Sequence, residues 1–364
     1  MKVPRIALFF CQSGANATLS YQHGWPRAFA GSPLLECVPF NLANRSLTDA
    51  AGMATMLYRG RFDAIVLLHS VFSNAQELRW LLFMAVAGSR SPKLFFIGNE
   101  YKLMPEKMRF CRRLGIDMLI SQNNDPRVLA LYEAALGCNV GSLPNTGLDA
   151  SIFYPVVPMA DRPVDIGYRA YEAPWYLGNL EKTEIAGYFA ANAMRLGLNA
   201  DISLDVADRF DSRGYAAFLN RCRGQIGTEA GGDYFELTDA TRLKVNAYQS
   251  AQPDASWEEV ESRFFANYGE AVPMRIISGR QVEAAACKTV QVLFEGFYSG
   301  YLKADEHYIA LKKDYSNIDE VMRKFRDDSY CRKLVDAAFD VAMTEFTYER
   351  LVAKFVSGLL RTVV

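Results

Sequence analysis

Residues 275–296 read RIISGRQVEAAACKTVQVLFEG. A short apolar run, RIIS, meets Gly279. An alanine-rich helical run, VEAAACK, follows, and a second apolar run, VQVLFE, ends the stretch. Short continuous apolar runs on either side of a helix former predict strand, helix, strand, with both strands buried as in a parallel sheet. One carboxylate, Glu283, stands inside this core-like segment, in the first turns of the predicted helix. The helix dipole alone favours a carboxylate there by roughly 0.3–1 kcal/mol. The alternative is that Glu283 accepts hydrogen bonds from vicinal hydroxyls, as acidic residues do with ribose in dinucleotide folds.

Outward from this stretch the same alternation recurs. Toward the N-terminus it predicts strands at RIALFF (5–10), FDAIVLLH (62–69), KLFFIG (93–98), DMLIS (117–121) and NVGSLP (139–144). Helices are predicted over 73–88, 105–115 and 126–137. Residues 144–165 carry four prolines and no periodicity, which reads as a linker. The alternation then restarts with strands at 164–170, 200–206, 224–230, 274–278, 290–295 and 308–314. Helices are predicted between them over 181–197, 213–223, 257–267 and 318–328, with an inserted loop at 231–256. The end, 329–364, is almost entirely helical in pattern. The expectation is an α/β protein of two doubly wound, Rossmann-like domains: 1–150, a linker 151–163, 164–344, and a terminal helix 345–364. Ligands of such sheets sit at the carboxyl ends of the strands, so a cleft between two domains is the default site.

Composition narrows the function. The 364 residues hold 40 Lys and Arg against 41 Asp and Glu, so no global field draws the chain to nucleic acid. Seven cysteines, none in a CxxC pair, predict packed, reduced thiols and the cytoplasm. MKVPRIALFFCQSG reads as a first strand, because its apolar run is short and no A-x-A site follows. WLLFMAVAG (80–88) is less than half a membrane span. Three scattered histidines and no clustered carboxylates predict no metal site. Neither a phosphate-binding GxxxxGK[ST] loop nor a G-x-S-x-G elbow is present.

GRQVEAAACKTVQVL resembles the helix-and-strand unit near the end of the donor domain of GT-B glycosyltransferases, of the group 1 and CgeB-like kind. Glu283-Ala284-Ala285-Ala286-Cys287-Lys288-Thr289 matches their Glu-Ala-x-Ala-x-Gly/Lys-Thr pattern, whose Glu holds the donor ribose. LPNTGLDASIFYP is similar to the interdomain crossover, DIGYRA to the first donor-domain strand, and HYIALKKDYSNIDEVMRKFRDD to the terminal strand and helix. The matches run in order from about 139 to 350. The resemblance implies an N-terminal acceptor-binding domain facing a C-terminal donor-binding one across a cleft. It implies metal-independent transfer from a nucleotide sugar to a saccharide or lipid-linked acceptor, in surface polysaccharide or glycoconjugate assembly, with no cofactor beyond the nucleotide-sugar co-substrate. Retaining members often carry a second glutamate eight residues before the ribose one; here that position is Arg275. Glu229, in GTEAGG, is the candidate substitute, with Gly231 offering backbone approach to a sugar or phosphate. Arg169 and Lys182 are candidates to neutralise a diphosphate leaving group. Arg280 and His307 complete the expected donor-binding set.

In the N-terminal half, Ser13-Gly14, His69 and Glu100-Tyr101 follow predicted strands on the carboxyl side. Glu100 and His69 are the candidate bases for an acceptor hydroxyl; Ser13, Gly14 and Tyr101 are candidate acceptor contacts. The tail, 346–364, carries an amphipathic stripe of Leu351, Val352, Phe355, Val356, Leu359 and Leu360. Two readings compete for it: a helix packed back on the N-terminal domain, or a basic amphipathic helix lying on a membrane. Rival functions are a sugar-nucleotide 2-epimerase and a non-catalytic two-lobed ligand-binding protein.

Overall fold

The structure, a computed structural model, describes residues 3–13 and 20–364; the side chains of Ser20, Tyr21 and Glu270 fall outside the description. The chain divides into two units. The first comprises Met1–Gly147, Phe235–Ala240 and Tyr348–Val364, and the second Leu148–Tyr234 and Thr241–Thr347.

The first unit is built on a parallel sheet of β1 (Arg5–Phe10), β2 (Glu36–Asn41), β3 (Ala64–Leu67), β4 (Lys93–Phe96), β5 (Met118–Ser121) and β6 (Asn139–Ser142). The strand order is β2-β1-β3-β4-β5-β6. Every residue of β3, β4 and β5 is buried, as the continuous apolar runs require. Between the strands lie α1 (Ser20–Gly31), α2 (Leu47–Arg59), α3 (Trp80–Ala87), α4 (Met104–Leu114) and α5 (Pro126–Leu136). α1, β2 and α2 have no counterpart among the sequence expectations. β2, ECVPFN, is an edge strand that carries Pro39 and buries only Phe40, so it lacks the apolar run that betrays a central strand. The helix expected over 73–88 begins only at Trp80. Before it, Gln76 pairs with Phe72 in a backbone bridge and its side chain donates to the Leu78 carbonyl at 3.0 Å, which holds the chain in a turn.

The C-terminal segment completes this unit. α13 (Tyr348–Lys354) runs on through Phe355–Leu359 and Leu360–Thr362. Leu351, Val352, Phe355, Val356 and Leu360 are buried with Ile6, Leu8, Phe29 and Phe96 in one core. Phe355 meets the Phe29 ring edge-on at 5.2 Å. Tyr348 lies so close to Gly24 and Gly147 that a Cβ on either would sit 2.1 or 2.3 Å from its ring. Burial of each such side chain is worth roughly 1.5–3 kcal/mol. The amphipathic stripe of the tail thus lies in the core of the first unit. The short segment Phe235–Ala240 also belongs here. Asp239 accepts the backbone N–H groups of Leu103 (2.6 Å) and Met104 (3.2 Å) at the start of α4, and Phe235 packs on Tyr132.

The second unit carries β7 (Val164–Arg169), β8 (Ala200–Ser203), β9 (Cys222–Gly227), β12 (Val290–Phe294) and β13 (Ile309–Leu311). They form a parallel sheet of order β13-β12-β9-β7-β8. Its helices are α6 (Glu181–Leu196), α7 (Ser212–Arg221), α8 (Ala240–Ala251), α9 (Trp257–Phe264), α10 (Gly279–Ala286), α11 (Ile318–Arg326) and α12 (Asp328–Val341). RIIS, expected as a strand of this sheet, is not one. β11 (Met274–Ile276) pairs antiparallel with β10 (Ala230–Gly232) in a separate ribbon. Gly231 (φ +90°) makes that ribbon possible, since a Cβ there would lie 1.7 Å from the Met274 carbonyl oxygen. The proline-bearing linker is fastened down. Buried Arg162 donates to the carbonyls of Cys287 (2.9 Å), Cys222 (3.1 Å), Lys288 (3.3 Å) and Leu219 (3.4 Å), satisfying helix-end acceptors of α10 and α7 with one cation.

Candidate functional site

In the second sheet the strand order reverses between β7 and β9, and the carboxyl ends of these strands mark the expected ligand position. Five segments end or start there: the loop after β7, the start of α6, the Thr228-Glu229 step after β9, the ribbon, and the start of α10.

A charge network ties them together. Glu181 opens α6 and is buried. Arg275 grips it with two nitrogens, each 2.7 Å from a carboxylate oxygen; Lys313, beyond β13, reaches it at 2.7 Å, and the Thr228 hydroxyl donates to it as well. Burial alone would raise the Glu181 pKa, but Arg275 and Lys313 overcome this and bring it down to about 2. Arg275 also donates from Nε to Asp233 at 2.8 Å, and Asn179 donates to the same oxygen at 3.0 Å. Arg275, expected to contact the donor, is therefore a clamp joining the ribbon to α6. Glu181, Asp233, Lys313 and Thr228 were missed in the sequence. The EK pair opening a helix and the KK pair closing a strand were the signals available for Glu181 and Lys313. Nothing marked Asp233, which lies in the insertion.

Beside this network sits a second cationic group. Lys182 is buried, with its ammonium 5.2 Å from the centre of the Tyr171 ring. Burial, and then the charge of Arg280 nearby, lower its pKa to about 7. Arg280 is the second residue of α10 and half-buried, and its Nε makes no hydrogen bond among the described residues. Glu283 lies one turn further along α10, buried, near enough to act electrostatically on both Arg280 and the Tyr215 hydroxyl. The helix start itself is closed by Ser278 and Gln281 in a capping box.

Glu229 is buried and accepts the Tyr298 N–H at 2.6 Å, with the Phe297 N–H as a further donor. Phe297 is right-handed and Tyr298 left-handed, so their successive N–H groups form an anion-holding nest, and Glu229 fills it. Tyr298 (φ +47°), Ser299 (φ +55°) and Gly300 (φ +78°) keep this left-handed run because Glu229 binds one end and the Ser299 hydroxyl accepts the Ile277 N–H at 3.2 Å. Burial raises the Glu229 pKa against these donors. Arg169 turns to Asp201 at 2.6 Å and stacks 4.5 Å from the Phe218 ring centre. His307 is buried and accepts the Lys303 N–H at 3.0 Å through Nδ1, closing its own loop. Gly231 serves the ribbon.

In the first unit Glu100 is wholly enclosed. It accepts from the Ser121 hydroxyl (2.7 Å), the Tyr132 hydroxyl (2.7 Å) and the Gln122 N–H (2.9 Å), and burial raises its pKa. Buried Lys107 fastens the adjoining loop by donating to the carbonyls of Gly98 (2.6 Å), Lys102 (2.8 Å) and Asn99 (2.9 Å). His69 follows β3 in a buried turn, its ring edge-on to Phe96 and Trp25, and burial lowers its pKa to about 3. Tyr101 is half-buried, its hydroxyl 3.4 Å from the Asn99 side chain. Ser13 is half-buried; Gly14 lies outside the described residues. Among the described residues no three His, Cys, Asp or Glu side chains gather into a metal set, and no helix is long and apolar enough to cross a membrane.

No protein-family model matches the chain, and no curated protein sequence matches it. Solved structures do. Sucrose-phosphate synthase from Thermosynechococcus elongatus superposes with a TM-score of 0.51 at 12% identity, over 99% of this chain and 98% of that one. HepE from Anabaena, in complex with UDP-glucose, gives 0.53 at 12% identity, over 99% of this chain and 100% of that one. A DNA-modifying beta-glucosyltransferase, solved with and without uridine diphosphoglucose, gives 0.53 at 10% identity, over 97% and 99%. At such identities the likeness is one of fold: the chain has the two Rossmann-like units of the GT-B fold.

Proposed function

We propose that this chain is a glycosyltransferase that takes its sugar from a nucleotide-sugar donor held by the second unit. The observation that carries the reading is the juxtaposition of Lys182 and Arg280 at the β7–β9 switch point. Lys182, buried and acted on by the Arg280 charge, is depressed to about 7 although Glu181 opposes this, so its ammonium is unfavourable without a further anion. A diphosphate between Lys182 and Arg280 removes that penalty and restores the Lys182 proton. As the glycosidic bond breaks, negative charge grows on the leaving diphosphate, and fixed cations in a low-dielectric site stabilise it most at that moment. Glu283, one turn along α10, is assigned to the ribose hydroxyls. The Glu229 nest holds the Tyr298–Gly300 turn, a positioning role. The fold neighbours bound to UDP and UDP-glucose make a uridine nucleotide the first donor to try.

With the leaving group neutralised by side chains, transfer needs no metal, and activity in EDTA is the expected behaviour. The acceptor is read as a saccharide or a lipid-linked one, in polysaccharide or glycoconjugate assembly on the cytoplasmic side. Neither Glu100, whose oxygens are taken up by three fixed donors, nor His69, whose burial disfavours taking up a proton, suits a base in the arrangement described.

The test is a thermal-shift panel of UDP, GDP and CMP, followed by a donor-hydrolysis assay with the nucleotide that binds. A nucleoside diphosphate at about a hundred times its Kd stabilises by about 2.7 kcal/mol. A raised melting temperature with one diphosphate, lost in Lys182→Met, supports the reading. No shift with any nucleotide contradicts it.

A further inference from the structure

Arg213, Ala216, Ala217, Asn220 and Arg221 recur along α7 at the spacing of a single helix face. The linker segment from Ser151 to Val157 runs beside this face, and the two line a groove of about 370 Å³. Ala216 and Ala217 line it on the helix side, and Ile152, Tyr154, Val156 and Val157 on the linker side. Two adjoining alanines leave room that larger side chains would fill. Tyr154 is 49% exposed and Val156 64% exposed, so apolar walls stand open to solvent. The volume falls within the range of small-molecule sites, and the whole groove belongs to the second unit.

Its charge and its polar groups identify the ligand. Arg213 and Arg221 are exposed and stand about 12 Å apart along the helix, one toward each end of the groove. Neither has a hydrogen-bond or ion-pair partner among the described residues, and no acid lines the groove. The acids nearest in sequence are engaged: Asp149 accepts the Ser151 N–H and hydroxyl, and Asp211 caps α7 through the Gly214 N–H. Two unpaired guanidiniums beside apolar walls call for a carboxylate or a phosphate. Between the arginines the polar side chains are already spent. Asn220 accepts the Val156 N–H at 2.7 Å and donates to the carbonyls of Ala216 (3.0 Å) and Tyr154 (3.1 Å), while the Ser151 hydroxyl goes to Asp149. A peptide or a sugar laid there would bury its own polar groups without partners. An alkyl chain has none to satisfy. The head belongs at the Arg221 end. Buried Arg162 lies there too, acting with Arg221 on the Cys222 thiol, and it donates to carbonyls and the Thr289 hydroxyl but to no carboxylate among the described residues. Arg213, by contrast, follows the Asp211 cap.

We infer that the groove between α7 and the linker binds an anion carried on a single apolar chain, a carboxylate or a phosphate monoester, with its head at Arg221 and its chain over Ala217. Arg221 precedes the amino end of β9, the edge of the sheet opposite the β7–β9 switch point, so the site is separate from the donor site and its reading does not depend on it. The test is titration calorimetry of the full chain with decanoate, decyl phosphate, decanol and acetate, each below its micelle-forming concentration. The native chain binds decanoate or decyl phosphate, and the tighter of the two identifies the headgroup. Decanol, without the charge, binds about tenfold more weakly, and acetate, without the chain, does not bind. Arg221→Gln lowers the affinity for the anion about tenfold and leaves that for decanol unchanged. Ala217→Leu fills the groove and abolishes binding. Met194→Ser, a fully exposed site on α6, changes nothing. Melting temperature and donor hydrolysis are unaltered in all three variants, because the replaced side chains are exposed. A native chain that binds neither anion, decanol that binds as tightly as decanoate, or an Ala217→Leu chain that binds like the native one overturns the proposal. So does a native dimer in light scattering that Ala217→Leu dissociates, which would assign the groove to a second copy.

Discussion

Glu100 in the first unit and Glu181 in the second are both buried carboxylates near the carboxyl end of a parallel strand, and their surroundings drive them apart. Glu100 accepts from two hydroxyls and one backbone N–H, all neutral donors, and burial raises its pKa although these donors and the Lys107 charge oppose the rise. Glu181 has Arg275 and Lys313, and its pKa falls to about 2. Neutral donors satisfy an acid's hydrogen bonds without compensating its lost hydration; cations do both. The first arrangement fixes a loop. The second gathers positive charge at the β7–β9 switch point, where Lys182 stays depressed beside Glu181 and Arg280 is offset by Glu283.

The sharpest way to break this comparison is to remove the cation. Arg275→Ala leaves Glu181 buried with Lys313 as its remaining salt-bridge partner, and should destabilise by about 3–5 kcal/mol in chemical denaturation. Glu100→Gln keeps two acceptor contacts and should cost about 1 kcal/mol. Equal costs would erase the distinction between the two carboxylates. Next in size, Glu283→Ala should weaken nucleoside diphosphate binding by roughly 1.5–3 kcal/mol with the melting temperature of the free protein little changed. An unaltered Kd would remove Glu283 from the ribose.

Smaller effects appear in pH dependence. Glu181 has a folded pKa below its unfolded value, so its stabilisation is present above about 4.5 and is lost as pH falls toward 2. Glu100 is raised, so its contribution is full below about 4.5 and is lost as pH rises through its folded value. Acid titration of Glu181→Gln should therefore be flatter between pH 4.5 and 2 than that of the native chain. Glu100→Gln should instead flatten the profile above pH 4.5. The same slope in both variants would contradict the assignment.

The two sheets were legible because buried parallel strands are continuous apolar runs, and Ile65-Val66-Leu67 or Val292-Leu293-Phe294 admit little else. What failed were elements whose residues answer to neighbours rather than to periodicity. β2 holds a proline because an edge strand leaves one side unpaired. Arg275-Ile276 left the main sheet because Gly231, some forty positions earlier, allows a tight antiparallel partner. Of the candidate site, Lys182 and Glu283 stand at helix starts that the sequence marks, while the nest that Glu229 fills was not legible, since a left-handed Tyr-Ser pair has no signature in composition. Asp233 and Lys313 meet only in the folded unit.

Isothermal titration of UDP into the full chain at pH 8, repeated in buffers of different ionisation enthalpy, tests the central claim most directly. With a folded pKa of about 7, Lys182 is mostly neutral at that pH. A diphosphate bound between it and Arg280 favours the ammonium, so binding should take up close to one proton from the buffer. Lys182→Met should bind about tenfold or more weakly, in keeping with the loss of one charge-assisted contact, and take up none. Binding with no proton uptake, or the same uptake in Lys182→Met, would contradict the assignment of the Lys182–Arg280 pair as the diphosphate site.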